Sequence, residues 1–155
     1  MTMAIVDLQV ASECQQLPSA KQFKRWVEAA LQKEMQSKDE IELAIRIVDE
    51  ADSQALNMQY RGKEKPTNVL SFPFEAPPQV PCDLLGDLVI CHAIVIDEAK
   101  EQGKFLGDHW AHMLIHGCLH LLGFDHVQDD EAEAMEILEI DILKKLEIDN
   151  PYQSI

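Results

Sequence analysis

The stretch "HGCLHLLGFDH", residues 116–126, carries three histidines at gaps of four and six residues. On an α-helix, residues four apart lie on one face with Cβ atoms about 6 Å apart, so His116 and His120 can bind one ion. Gly123 can adopt a left-handed conformation that ends the helix and turns the chain back, which would bring His126 to the same ion. Three protein ligands leave one position of a tetrahedral zinc site open for water, as is typical of catalytic sites. We therefore predict that His116, His120 and His126 bind a metal ion.

Other histidines of the segment compete for this role. His112 and His116 are also four residues apart, but positions 112 and 120 are separated by roughly 12 Å along a helix axis, too far to share an ion. The 116/120 pair is the one followed by a glycine and a third histidine. His109 and His112 are therefore predicted to support the site or line its groove, and His92, alone after a strand, to be structural. Cys118 lies about 200° round the helix from His116, which predicts that it faces the core.

The same spacing matches the metzincin protease pattern H-E-x-x-H-x-x-G-x-x-H, in which the glutamate acts as general base. Here Gly117 stands at the glutamate position and cannot accept a proton. Peptide hydrolysis by that route is therefore disfavoured, although the spacing of the metal ligands is retained.

Hydrophobic periodicity predicts the order of the secondary structure elements. Strands are expected over about 3–10, 41–49, 67–74 and 84–92, and helices over about 19–35, 52–60, 93–102, 107–122 and 129–146. Pro73 lacks an amide hydrogen, which favours a sheet edge or a strand end for 67–74. Strands come early and helices late, so the class is α/β or α+β with a sheet of about four strands.

Length and charge limit the possible functions. A chain of 155 residues is expected to form one domain. The chain has 28 acidic and 13 basic residues, a net charge of −15, which argues against tight nonspecific binding to a phosphate backbone. The segment "RGKEK", residues 61–65, is locally basic and weakens that argument.

The cysteines and the hydropathy pattern bear on location. The four cysteines are scattered and form no C-x-x-C pair, so we expect no structural disulfide and a reducing cytoplasm. The chain lacks a run of about 18 apolar residues, and its first ten residues lack a basic segment. We therefore expect neither a membrane span nor a secretory signal.

Three segments carry a resemblance to a known family. "HGCLHLLGFDH" resembles the H-G-x-x-H-L-x-G-x-D-H signature of the YbeY family of metal-dependent endoribonucleases, the bacterial rRNA maturation factors. "YRGKEKPTNVLSFPFE" (60–75) and "LLGDLVIC" (84–91) resemble two further motifs of that family. The resemblance implies a single-domain α+β fold over 1–155, with a small mixed sheet of about four strands packed with about five helices. Glu64 departs mildly from the family pattern, in which we expect Asp.

The resemblance also implies an activity and its site. His116, His120 and His126 would bind one Zn²⁺ ion per chain. The activity would be single-strand-specific cleavage in 3′-end maturation of 16S ribosomal RNA and in ribosome quality control. The implied partners are ribosomal RNA and the ribosome or its small subunit, with ribosomal proteins as further candidates; the oligomeric state stays open.

Arg61 and His116 are the predicted catalytic residues. The guanidinium group of Arg61 has a planar shape that suits phosphate oxygens. The alternative for Arg61 is a surface salt bridge to Glu64 or to an acid of the C-terminal helix. Lys63 and Lys65 could follow an RNA backbone or remain solvated surface residues.

Several roles and functions stay open. Phe72 and Phe74 could stack on bases, although core packing is favoured. Asp125 could orient a ligand histidine or cap the following helix. A hydrolase of peptide or amide bonds, with a base from elsewhere, is a second enzyme class. A non-catalytic ribosome assembly factor with a structural metal is a third possibility, because an acidic protein can dock on basic ribosomal proteins.

Overall fold

Four strands and six helices make up the part of the chain that the computed structural model describes, residues 3–12, 16–37, 40–75, 83–124 and 128–152. In chain order they are β1 (Met3–Ala11), α1 (Ala20–Ala30), α2 (Gln32–Met35), β2 (Glu40–Val48), α3 (Glu50–Arg61), β3 (Val69–Pro73), β4 (Leu84–Cys91), α4 (His92–Gln102), α5 (Leu106–Leu121) and α6 (Asp129–Lys145).

The strands form one mixed sheet in the order β1-β2-β4-β3. β1 pairs with β2 and β2 with β4 in parallel, whereas β3 runs antiparallel to β4 at the edge of the sheet. Pro73 is the last residue of β3, opposite Gly86. The prediction of an edge or a strand end is therefore confirmed, because neither position requires an amide hydrogen from proline.

Alternating side chains give the sheet two different faces. In β2 the side chains of Ile41, Leu43, Ile45 and Ile47 are buried in the main core, which α1 and α5 also form. On the opposite face, Val48, Leu70 and Val89 form a smaller cluster against which Leu56 of α3 packs. The main core therefore lies between the sheet and the helix pair α1 and α5.

Helix α5 lies at the centre of the molecule. It contacts α1, α4, α6, β3 and β4, and almost every side chain from 109 to 121 is buried. Trp110 meets Phe23 of α1 edge to face, with ring centroids 5.7 Å apart. A helix buried on most sides is held firmly, so α5 is a rigid base for the histidines that it carries.

The α+β class with a four-stranded mixed sheet is confirmed. The single helix predicted over 19–35 is divided into α1 and α2, which raises the helix count to six. Ser19 begins α1 with a capping box to Gln22, and the interruption falls at the fully buried Leu31, where ψ is 9°. Neither Gly nor Pro marks this break. Most of the predicted loop 75–83 lies outside the described residues, and within them no helix is long and apolar enough to cross a membrane.

Candidate metal centre and cleft

Four histidines lie along one face of α5, at positions 109, 112, 116 and 120. Spacings of three and four residues place successive members on adjacent turns. Neighbouring ring centroids along the row are 6.1, 6.2 and 4.6 Å apart. The first two histidines are buried and the last two are half-buried. The row therefore runs from the core to a more open end at His116 and His120.

The open end of the row brings two imidazole nitrogens together. The Nε2 atoms of His116 and His120 lie 3.1 Å apart. Two nitrogens bound to one tetrahedral zinc ion at about 2.0–2.1 Å are themselves about 3.3 Å apart. The donor type and the spacing of this pair therefore fit a zinc ion, and the two imidazoles lie together as helix geometry predicts. That they bind a metal ion stays a prediction.

Glu139 of α6 lies behind the histidine pair with its side chain fully buried. Its Oε1 accepts a hydrogen bond from His116 Nδ1 at 2.5 Å. Its Oε2 lies 3.3 Å from His112 Nε2 and accepts a hydrogen bond from the Tyr152 hydroxyl. Burial alone would raise the pKa of the Glu139 carboxyl, but the hydrogen bonds from His112 and His116 outweigh it and lower the pKa to about 2. Glu139 is therefore an anion that three side chains hold.

Two overlapping groups could hold a metal ion. Ligand atoms of His112, His116 and Glu139 lie within 4.8 Å of one another, and the Nε2 atoms of His116 and His120 form the alternative. The 2.5 Å separation of His116 Nδ1 from Glu139 Oε1 is a hydrogen-bond distance, shorter than the roughly 3 Å between two ligands of one ion with bonds near 2.0 Å. The geometry therefore favours the His116/His120 pair, with Glu139 in a supporting position.

The third predicted ligand, His126, lies outside the described residues, as does Asp125. The turn that leads toward them is described. Gly123 has a φ of 100°, its amide donates to the His120 carbonyl at 3.0 Å, and the Phe124 amide donates to the Leu119 carbonyl at 3.0 Å. These two bonds form a Schellman motif, so the prediction that Gly123 ends the helix at a positive φ is confirmed.

Gly117 is required by packing. A Cβ atom at this position would lie 2.8 Å from Leu88 Cδ2 and 3.2 Å from Val69 Cγ2. Ser71 of β3 donates from Oγ to the Gly117 carbonyl at 3.2 Å. Position 117 therefore faces the sheet at a close approach, so a metzincin-type glutamate would not fit there.

A cleft of about 910 Å³ opens beside the histidine pair. The residues of β3 and the two residues before it form one part of the cleft lining. Helix α6 forms another part through Ala132, Met135, Glu136 and Glu139. His116 and His120 lie in this lining, and so does Arg61 at the end of α3. The structure therefore brings Arg61 and the two described ligand candidates to one cavity.

Buried side chains of α3 hold the loop that follows Arg61. Gly62 ends α3 in a left-handed conformation with a φ of 70°. Ser53 Oγ donates to the Thr67 carbonyl at 3.0 Å and accepts from the Thr67 amide at 2.9 Å, and Asn57 Nδ2 donates to the Lys65 carbonyl at 2.8 Å. These bonds from buried side chains hold the loop 62–67 against α3.

Arg61 is an exposed residue of the cleft lining. The described residues include Glu64 and all of α6, and none of their carboxylates forms an ion pair with Arg61. The alternative of a surface salt bridge is therefore wrong for these partners. Lys63 and Lys65 are exposed beside Arg61.

An aromatic pair lies next to Arg61. Tyr60 and Phe72 meet edge to face with centroids 4.9 Å apart, and both line the cleft. Phe72 is half-buried against the smaller apolar cluster, in agreement with the favoured packing role. Phe74 is 48% exposed, so core packing is wrong for it.

Three further histidines and Cys118 have contacts or burial that bear on their predicted roles. His92 Nε2 donates a hydrogen bond to Asp49 Oδ1 at 2.8 Å, a contact between the starts of α4 and α3 that fits a structural role. His109 contacts Glu98 at 3.0 Å, and His112 contacts Glu139. Both histidines therefore contact carboxylates beside the row and do not lie at its open end. Cys118 is fully buried, and burial raises the pKa of its thiol to about 12, which confirms that it faces the core.

Sequence reasoning missed Glu139 and Tyr152. A signal for Glu139 was present, because positions 135, 139, 142 and 143 of α6 are buried at helical spacing, and Glu139 is the charged member of that apolar set. No comparable local pattern marks Tyr152, which lies after the last helix.

Comparison with known proteins places this arrangement in a family. The fold is similar to the solution structure of TM1509 from Thermotoga maritima, with a TM-score of 0.59 and 24% sequence identity over 92% of each chain. At this identity the similarity concerns the fold alone. The family model described as "Endoribonuclease YbeY" matches residues 8–147, which include the histidine row, the Arg61 loop and Glu139. This chain therefore belongs to the YbeY family of endoribonucleases.

Proposed function

We propose that this chain is a zinc-dependent endoribonuclease that cleaves single-stranded RNA, acting in the cytoplasm in 3′-end maturation of small-subunit ribosomal RNA and in ribosome quality control. Membership of the family supports a nuclease role in rRNA processing. The observation that carries the proposal is the pair of facing Nε2 atoms of His116 and His120, 3.1 Å apart, in a cleft that Arg61 also lines.

The chain's own residues have distinct roles in this proposal. His116 and His120 hold one zinc ion per chain, with His126 as the proposed third ligand. When bound, zinc would supply Lewis acidity and lower the pKa of water to about 7. Gly117 offers no carboxylate base, so the chemistry does not depend on a glutamate at that position.

Arg61 supplies the positive charge that a phosphodiester substrate needs. Arg61 is exposed and lines the cleft, and its guanidinium can donate two parallel hydrogen bonds to phosphate oxygens. It therefore binds the reacting phosphate and stabilises the negative charge that develops there during cleavage.

The aromatic pair supports a preference for single strands. Tyr60 is 58% exposed and contacts Phe72 in the cleft lining. Aromatic side chains stack on bases that are not already stacked in a duplex, irrespective of their sequence. An unpaired RNA segment is therefore the substrate that this cleft suits.

The net charge of −15 bears on the partner. Like charges would weaken binding of long naked RNA, whereas basic ribosomal proteins would attract an acidic surface. The small ribosomal subunit presents both RNA and basic proteins, and it is therefore the proposed partner.

Cleavage of precursor small-subunit ribosomal RNA tests the proposal. Wild type should cleave it, alone or within the subunit, and lose activity with a chelator; His120→Ala and Arg61→Ala should be strongly impaired. His92→Ala and Arg25→Ala serve as matched controls, because His92 contacts Asp49 away from the cleft and Arg25 is an exposed residue of α1. Full maturation by a folded His120→Ala variant would point instead to a structural metal, and chelator-sensitive casein turnover to a peptide hydrolase.

A further inference from the structure

We propose that Glu139 is the positioning residue that orients His116 for metal binding, and that Tyr152 holds the Glu139 carboxylate in place. The inference rests on the proposed metal site. It adds two residues, one from α6 and one from the segment after it, that are not themselves ligands.

The orienting role of Glu139 follows from the geometry of His116. Its Nδ1 atom lies 2.5 Å from Glu139 Oε1, and its Nε2 atom lies 3.1 Å from His120 Nε2. A carboxylate accepts hydrogen bonds, so Nδ1 must carry the proton. In a neutral imidazole the lone pair is then on Nε2, the atom that faces His120. Glu139 thereby selects the tautomer and the ring orientation that present Nε2 to an ion.

Tyr152 holds the Glu139 carboxylate from its other oxygen. Its hydroxyl donates to Glu139 Oε2, and its ring packs edge to face on His112 with centroids 5.4 Å apart. The Tyr152 amide donates to Asn150 Oδ1 at 2.8 Å, which fixes the local turn. Burial, and then the hydrogen bond to Glu139, raise the pKa of the Tyr152 hydroxyl, so it stays a donor. The carboxylate is therefore held at Oε2 while Oε1 is directed at His116.

Burial explains why these contacts matter. A buried carboxylate is costly unless hydrogen bonds compensate it, and the Glu139 side chain is fully buried. His112, His116 and Tyr152 supply those bonds. Loss of one donor therefore shifts the carboxylate and, through it, the ring of His116.

Zinc titration of the metal-free protein against a chelator of known affinity tests the proposal without RNA. Glu139→Gln keeps the size of the side chain but removes its charge, and should weaken zinc binding by roughly ten- to hundredfold. Glu133→Gln, at an exposed position of the same helix, is the matched control and should leave the affinity unchanged. Tyr152→Phe should lower the affinity less than Glu139→Gln does, and Tyr60→Phe, from the other part of the cleft, should not lower it.

The tautomer of His116 is a second readout, which a merely structural role would not change. Nitrogen NMR of the metal-free protein should show His116 protonated at Nδ1 in wild type and Glu133→Gln, with an increased Nε2-protonated fraction in Glu139→Gln. Unchanged zinc affinity and an unchanged tautomer in Glu139→Gln would overturn the proposal. It would also be overturned if Glu139→Gln and His112→Ala abolished zinc binding as completely as His116→Ala, because Glu139 would then be a ligand. These measurements do not involve RNA, so failure of the nuclease proposal would leave them interpretable.

Discussion

At the scale of single residues, Arg61 is the side chain whose removal should separate chemistry from metal binding. It is exposed in the cleft and pairs with no carboxylate of the described residues. A charge-assisted contact to phosphate contributes about 1.5–3 kcal/mol. Arg61→Ala should therefore lower the rate of RNA cleavage roughly ten- to hundredfold at saturating RNA, with zinc content and thermal stability unchanged.

Arg61→Lys refines this prediction. Lysine keeps the charge but loses the planar pair of donors, so it should recover part of the rate. Equal cleavage rates for wild type and Arg61→Ala, at full zinc occupancy, would remove Arg61 from the mechanism.

Packing around Gly117 excludes the glutamate that the metzincin pattern has at this position. Because a Cβ there would lie 2.8 Å from the buried Leu88 side chain, Gly117→Glu should overpack the core and bury a charge. We expect a loss of at least about 3 kcal/mol in the free energy of unfolding, measured by chemical denaturation. Gly107→Glu is the control, since a Cβ at Gly107 meets nothing within 4 Å. Equal stability of the two variants would contradict the packing explanation.

At the scale of elements, the end of α5 links backbone geometry to the metal site. Gly123 has a φ of 100° and forms the Schellman motif. Gly123→Val should destabilise the fold by about 1–2 kcal/mol and weaken zinc binding, because it alters the turn that leads to His126. Circular dichroism should show that the helices are retained.

Gly103→Val is the matched variant for this test. Gly103 ends α4 with a φ of 64°, so valine there should cause a similar loss of stability. Its zinc affinity should equal that of wild type, since it lies away from the cleft lining. Equal zinc affinities for the two variants would mean that the turn at Gly123 does not position a ligand.

Local periodicity explains which elements and site residues were predictable. β2 and α5 follow apolar patterns of period 2 and 3.6, and the convergence of His116 and His120 needs only the geometry of one helix. The break at Leu31 carries no local signal, since neither Gly nor Pro occurs there, and Leu31 is fully buried. Glu139 contacts a histidine 23 residues away and Tyr152 one 40 residues away, and such contacts exist only after α5, α6 and the segment beyond them have packed.

At the scale of the whole molecule, the topology explains why the cleft lies where it does. The central helix α5 contacts both the edge strand β3 and helix α6. The cleft lining therefore draws on β3, α5 and α6 together with Tyr60 and Arg61 of α3. Within the described residues, the cleft thus presents one exposed arginine beside a pair of imidazoles.

The zinc affinities of His120→Ala and His112→Ala decide which side chains hold the metal ion. The two substitutions remove the same side chain from the same helix, but they distinguish the two candidate groups of ligands. We expect His120→Ala to lose tight zinc binding in titration against a chelator. His112→Ala, which loses a 3.3 Å contact to Glu139, should keep close to one zinc ion per chain with at most a modest fall in affinity. Retention of tight zinc binding by His120→Ala, with its loss in His112→Ala, would rule out the His116/His120 site and place the ion among His112, His116 and Glu139.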